Sequence, residues 1–260
     1  MTVLDIDQPA AGVTRLTLNG EDTLNALDMA VKVHLLSVLR ELADDPLTRV
    51  ILLTGTGKAF CSGGDVRGMG QRTAAETVEV LSFGRQITEV MINLRKPIIA
   101  AVNGLASGAG FNLALASDII VATPSAWFQQ SFVRLGLVPD MGGTYLLARA
   151  IGLPRAKHAL LTSRRFTSAE ALSLGFVSEI FSENFDGQAV ALCDALARKA
   201  PLALGLSKML CNRAGDGTLS DALDRETLTQ AVLGTTTDHR SAVHHFLNKE
   251  DLDRVTFIGL

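Results

Sequence analysis

Apolar and polar positions along the chain follow two periods, and the switches between them mark most of the elements. Val3–Asp7 and Val13–Leu18 read as two short strands across a turn at Pro9–Gly12. Val31, Leu35, Val38, Leu39 and Leu42 share one helical face, which predicts a helix from Asp28 to Ala43 with Asp28 as its cap and Pro46 beyond its end. Val50–Thr54, Ile98–Val102 and Ile119–Thr123 are continuous apolar runs of strand length, a pattern suited to parallel strands covered on both faces. Between them Val80, Phe83, Ile87, Val90 and Leu94 define a second amphipathic helix, and a shorter helix is expected near Phe111–Ala116. Strand, strand, helix therefore recurs through the first half with βαβ-type crossovers, which predicts an α/β fold. From Gly142 onward the pattern is helical except at Phe176–Phe181. Pro201 begins or kinks a helix, and Gly215-Asp216-Gly217 is a loop. Apolar faces between Leu219 and Leu247 have to be buried on this core or on another subunit.

Composition narrows the class. The 260 residues are 47% hydrophobic and 20% charged, enough apolar material for a large core. A net charge of −3 gives no electrostatic reason to expect nucleic acid or an anionic membrane as partner. The cysteines Cys61, Cys193 and Cys211 are widely spaced and form no C-x-x-C pair, which fits reduced thiols and indicates neither a disulfide framework nor a zinc site. Acidic residues stand where a targeting peptide would be basic, no apolar run reaches the length of a membrane span, and Phe-Ile-Gly-Leu is not a peroxisomal address. A cytoplasmic protein is expected.

The candidate chemistry lies in two glycine-punctuated segments, Gly57-Lys58-Ala59-Phe60-Cys61-Ser62-Gly63-Gly64-Asp65 and Asn103-Gly104-Leu105-Ala106-Ser107-Gly108-Ala109-Gly110-Phe111-Asn112. Each follows an apolar run and leads towards a helical pattern. A strand that ends in small residues and opens a helix leaves backbone N–H groups free to meet negative charge. Two such turns converging would form an oxyanion hole made of main chain. Taken singly, either turn reads more simply as an ordinary strand-to-helix connection. Neither segment completes a phosphate loop or a G-x-G-x-x-G dinucleotide fingerprint.

Several segments in order resemble the crotonase, or enoyl-CoA hydratase/isomerase, family. They are Leu24-Asn25-Ala26-Leu27, Ala59-Phe60-Cys61-Ser62-Gly63-Gly64-Asp65 and Pro97-Ile98-Ile99-Ala100-Ala101-Val102-Asn103-Gly104. The Gly108-Ala109-Gly110 turn, Ala116-Ser117-Asp118-Ile119, Gly136-Leu137-Val138-Pro139-Asp140 and Gly142-Gly143-Thr144 complete the set. The resemblance implies a crotonase-like spiral of stacked ββα units over residues 1–195 and a C-terminal helical oligomerisation part over 196–260. It further implies homotrimers or dimers of trimers, and an acyl-CoA thioester as substrate, with coenzyme A carried by the substrate and no separate cofactor or metal. Matched residue by residue, the oxyanion donors are the N–H groups of Ser62 and Ala109. Asn25, Ala26, Leu27, Ser62, Gly64, Asp65 and Val66 lie along the coenzyme A moiety, and the region from Val66 to Leu94 walls the acyl pocket.

Two departures direct the chemistry. Family members that hydrate a double bond carry two glutamates, and their positions here are Asn112 and Phe132. Asparagine is no general base at neutral pH and phenylalanine holds no water, so hydration is disfavoured. Asp140 resembles the acid of the isomerising branch, which includes the ring-opening isomerase of phenylacetate breakdown. A single base beside an enolate hole suits a 1,3-proton shift. From its local pattern alone Asp140 is equally a helix N-cap. The alternatives are a hydratase-like protein with weak or no hydratase activity and a non-catalytic acyl-CoA-binding paralogue. The family's dehalogenase branch fits less well, because it needs an aromatic donor where Phe132 stands and a histidine that this stretch lacks.

Other conspicuous residues have plainer readings. His239, His244 and His245 lack an acidic or cysteine partner at ligand spacing and read as a solvated or intersubunit face. Asp118 reads as a structural turn residue, Cys61 as a small core residue, and Trp127 as core or pocket wall.

Overall fold

The computed structural model describes every residue except Gly68. The N-terminal hairpin, β1 (Val3–Ala10) and β2 (Val13–Asn19), leads into α1 (Met29–Asp44), whose Asp28 carboxylate caps it by accepting the Val31 N–H. Three strand–strand–helix units follow. The first is β3 (Val50–Gly55), β4 (Ala59–Cys61) and α2 (Ala74–Asn93); the second is β5 (Ile98–Val102), β6 (Leu105–Ser107) and α3 (Ala109–Leu115). The third is β7 (Ile119–Ala122), β8 (Trp127–Gln129) and, after a short 3-10 turn at Phe132–Leu135, α4 (Gly143–Ile151). Beyond these lie α5 (Leu153–Thr162), β9 (Arg165–Thr167), α6 (Ser168–Leu174), β10 (Glu179–Ile180) and α7 (Phe185–Ala197). The chain finishes through α8 (Pro201–Asn212), α9 (Leu219–Leu233) and α10 (Thr237–Leu247).

The odd strands of the units build one sheet and the even strands a second. The first has the order β1-β2-β3-β5-β7-β10, antiparallel only at the β1–β2 hairpin; the second has the order β4-β6-β8-β9, antiparallel only at β8–β9. Each unit adds one strand to each sheet, so the path is a spiral of ββα turns. This is the spiral of stacked ββα units that the resemblance implies. Strict alternation in β3 explains why its run is apolar throughout: Ile51 and Leu53 face the main core, Val50 and Leu52 a second cluster under α7. β9 and the whole second sheet escape the sequence reading, because strands of three residues carry no measurable period.

α7 spans the expected boundary between residues 195 and 196, and its Ala189, Cys193 and Ala197 pack on the first sheet. α8 is tethered to the spiral by Lys208, whose ammonium pairs with Asp118 at 2.8 Å and donates to the Met91 and Lys96 carbonyls. Asp118 also accepts the Ile98 N–H at 2.7 Å, so its role is structural as expected. Beyond that tether, α9 buries none of its residues and leaves Leu219, Leu223, Leu228 and Val232 exposed. Among the described residues no helix is long and apolar enough to cross a membrane.

Candidate active site

β4 and β6 are adjacent and parallel, pairing Ala59 with Leu105 and Cys61 with Ala106. Both glycine turns therefore leave the same end of neighbouring strands and meet. Their approach is backbone to backbone: a Cβ on Gly110 would lie 2.3 Å from the Cys61 carbonyl oxygen, and one on Gly63 would lie 2.9 Å from that of Ser107. Gly63 (φ +110°) and Gly108 (φ +53°) also adopt backbone conformations that residues with a side chain avoid.

Hydrogen bonding decides which amides the turns leave free. Ser62 N–H donates to the Leu24 carbonyl at 2.9 Å, so the expected Ser62 donor is already engaged. Leu27 forms a parallel bridge with Gly64, donating to the Gly63 carbonyl at 2.8 Å and accepting the Asp65 N–H at 3.3 Å. In a parallel bridge of this hand the central residue turns its own N–H and C=O away from the partner. Gly64 N–H, two residues beyond the expected donor, is left without a partner among the described residues. Ala109 N–H, at the first position of α3, is likewise free, as the opening N–H groups of a helix are. The main-chain pair that the fold leaves open is thus Gly64 and Ala109, with Ser62 corrected to a scaffold role; its hydroxyl donates to the Thr23 carbonyl at 3.0 Å.

A cavity of about 350 Å³ opens at these turns, within the size range of ligand pockets. It brings together Leu27, Ser62, Gly64, Asp65, Val66, Ala109, Phe132 and Asp140 of the expected residues. Met69, Arg72, Thr77, Val80 and Leu81 form a wall from the stretch expected to supply it. Asn25 does not reach the cavity. It is fully buried, accepting the Gly20 N–H at 2.8 Å and donating to the Thr56 and Ala59 carbonyls at 3.0 and 2.7 Å. It fixes the loop against which β4 ends, so its expected contact with coenzyme A is corrected to a structural one. Ala26 is half-buried and does not line the cavity either. Trp127 lies outside it, beneath the Arg165 guanidinium 3.8 Å from its ring centre.

Asp140 faces the cavity just before α4. It is not that helix's cap: Gly142 takes the cap position with no side-chain bond, and Asp140 contributes only its carbonyl, which accepts the Gly143 N–H at 2.9 Å. Its Oδ1 is buried with no hydrogen-bond partner among the described residues. Burial pushes the carboxyl above the ordinary carboxylate range, and the Lys32 ammonium opposes that shift. The turn carrying Asp140 is strained at Met141, which follows it at φ +44°, while Gly142 takes the next left-handed position (φ +77°) without cost. Thr88 holds the Met141 carbonyl with a 3.1 Å hydrogen bond, and Gly84 leaves room for the Met141 side chain, whose Cγ lies 2.9 Å from where a Cβ would be.

Asn112 sits under this turn, fully buried. Its amide donates to the Asp140 carbonyl at 3.0 Å while its oxygen accepts from Gln130 Nε2 at 2.6 Å. Asn112, where the resemblance led us to look for a glutamate, is a strut for the Asp140 backbone. Gly143 is required above it, because a Cβ there would fall 2.3 Å from the Asn112 side chain. Cys61 is sealed in the core and its thiol is pushed up to about 12 by burial, so it stays a thiol and offers no nucleophile.

Lys32 is a cavity residue that sequence reasoning missed. It lines the same cavity although it is only 6% exposed, and burial lowers the pKa of its ammonium. A signal was available: it stands three and four residues before Leu35 and Leu36, on the buried stripe of α1 where a lysine is out of place. Among the described residues no group of three or more His, Cys, Asp or Glu side chains is placed to hold a metal ion.

Known proteins resemble this chain over nearly its whole length. The model of the enoyl-CoA hydratase/isomerase family matches residues 8–254. The chain is 35% identical over 243 residues to the 1,2-epoxyphenylacetyl-CoA isomerase of Escherichia coli K12, covering 92% of this chain and 93% of that one. It is 33% identical over 242 residues to the 2,3-dehydroadipyl-CoA hydratase of the same organism, covering 93% and 94%. A solved enoyl-CoA hydratase from Bacillus anthracis superposes with a TM-score of 0.94 at 29% identity, over 99% of both chains. With its family model spanning nearly the whole sequence and its spiral matching solved relatives, the chain belongs to the crotonase, or enoyl-CoA hydratase/isomerase, family.

Proposed function

We propose that this protein is an enoyl-CoA isomerase that moves a double bond in an acyl-CoA thioester by a 1,3-proton shift. The observation that carries the reading is Asp140, a cavity carboxylate with a buried, unpartnered oxygen, in the cavity that the two free main-chain amides open onto. In a 3-enoyl thioester the Asp140 carboxylate removes a proton from C2. The electrons of that C–H bond delocalise onto the thioester oxygen, where the Gly64 and Ala109 N–H groups meet the enolate charge. The proton then passes from Asp140 to C4, the enolate collapses, and the double bond lies between C2 and C3. A carboxyl with a raised pKa suits both halves of this transfer: its carboxylate is a stronger base towards the C2 proton, and its acid form still gives the proton up to C4. Each amide of such a hole typically contributes ~3 kcal/mol to lowering the barrier.

Asn112 speaks against hydration as the main activity: its side chain is fully committed and carries no base. Coenzyme A would enter past Val66, and the exposed apolar face of α9 would be covered by another copy in a trimer or a dimer of trimers. The test is steady-state kinetics on 3-enoyl-CoA and aryl-acetyl-CoA thioesters. Asp140→Asn should lose turnover while still binding thioester, and unchanged turnover in that variant would remove the assignment.

A further inference from the structure

Lys32 exchanges no proton in the shift just described, although its charge opposes the raised pKa of Asp140. It is more than nine-tenths buried, it reaches the cavity, and among the described residues its ammonium makes no hydrogen bond and no ion pair within 4 Å. Of the other charged groups of the cavity, Asp140 attracts Lys32 most strongly but makes no ion pair with it within 4 Å, and the rest are differently placed. Asp28 is engaged in capping α1, Asp65 is paired with Arg67 at 2.8 Å, and Arg72 stands at the exposed rim. The walls around them are apolar, supplied by Leu27, Val80, Leu81, Phe132, Leu135 and Leu137.

A buried ammonium with three donors and no protein acceptor is satisfied only by water or by the ligand. A hydrocarbon acyl chain entering this cavity expels the water and offers nothing in return, so Lys32 works against plain alkyl thioesters. An acyl chain that carries an acceptor, above all an anionic one, gains a charge-assisted hydrogen bond in surroundings of low polarity. We propose that Lys32 is the specificity residue of the acyl pocket and that it selects acyl-CoA thioesters whose acyl chain ends in a carboxylate. The inference rests on the cavity being an acyl-CoA site, and it is compatible with the similarity to a 2,3-dehydroadipyl-CoA hydratase, whose dehydroadipyl group ends in a carboxylate.

The test uses saturated thioesters, which cannot isomerise and so report on binding alone. Dissociation constants of hexanoyl-CoA and adipoyl-CoA, the same chain with and without a terminal carboxylate, are measured by calorimetry for the unaltered protein, Lys32→Met and Lys32→Arg. The expected preference of the unaltered protein for adipoyl-CoA is about tenfold or more, the value of one such charge-assisted contact. That ratio should fall to near unity in Lys32→Met and return in large part in Lys32→Arg. Equal affinity of the unaltered protein for the two ligands, or a preference that survives in Lys32→Met, overturns the proposal. Asp140→Asn separates this result from the isomerase reading: it removes a negative charge and keeps Lys32, so its preference for adipoyl-CoA should stay or increase whatever happens to turnover.

Discussion

The strut beneath Asp140 makes a quantitative demand. Asn112→Leu keeps the branched shape of the side chain and removes both hydrogen bonds, the 3.0 Å donation to the Asp140 carbonyl and the 2.6 Å bond from Gln130. Each is worth about 1 kcal/mol net. The Gln130 amide, in a residue only 1% exposed, is left without a partner at a further cost of about 1–3 kcal/mol. The sum is about 3–5 kcal/mol, or roughly 10 °C in thermal midpoint for a domain of this size. Differential scanning fluorimetry at fixed protomer concentration reads it, with kcat measured in parallel. The discriminating variant is Asn112→Leu with Gln130→Leu. Removing both polar partners together abolishes the orphan, so the double variant should be less destabilised than the sum of the singles by about 1–3 kcal/mol. Additive losses would refute the strut. So would an unchanged kcat in Asn112→Leu, because a shifted turn must carry Asp140 with it.

The remaining predictions concern the amides, the carboxyl and the tether. Gly110→Ala puts a Cβ 2.3 Å from the Cys61 carbonyl and should abolish turnover or folding, whereas Gly64→Ala meets only the flexible Met69 end at 3.2 Å and should keep kcat within a few-fold; thermal melts and kinetics compare the two. Because burial raises the Asp140 pKa and the carboxylate is the active form, kcat/KM should fall as pH drops through a value above the ordinary 3.8, and a limb at or below that value contradicts the assignment. The same raised pKa means that the ionised carboxylate weakens the fold, a penalty absent at low pH and complete once pH has risen through the folded value, so Asp140→Asn should melt higher than the parent at neutral pH. Lys208→Met strands Asp118 beside α8 and should destabilise by about 3 kcal/mol in equilibrium denaturation, the low end for a broken buried pair since the Asp118 side chain keeps 19% exposure.

Most of the first sheet is legible in the sequence for a simple reason. β3, β5 and β7 are covered on both faces, so their runs are apolar without interruption and long enough to register. The second sheet is not, because its strands are three residues long and its register is set by the spiral, not by a local pattern. The glycine turns identify the neighbourhood of the candidate site but not which of its amides is left free. Whether the Ser62 or the Gly64 amide is free depends on the bridge between Leu27 and Gly64, a contact between segments far apart in the chain. Asp140 was ambiguous between cap and base on local pattern. The left-handed Met141 and Gly142 exclude the cap by starting the helix two residues later than a capping aspartate would require. Lys32 is the instructive omission, because a lysine within an apolar helical stripe is a visible anomaly even without a structure.

The most direct test of the account is proton exchange followed by NMR in deuterated water, with a 3-enoyl-CoA thioester and the Asp140→Asn variant alongside the parent. The account predicts deuterium entering at C2 and C4 with migration of the double bond, and neither event in the variant. A parent that binds the thioester without exchange, or a variant that exchanges at the parent's rate, would contradict it.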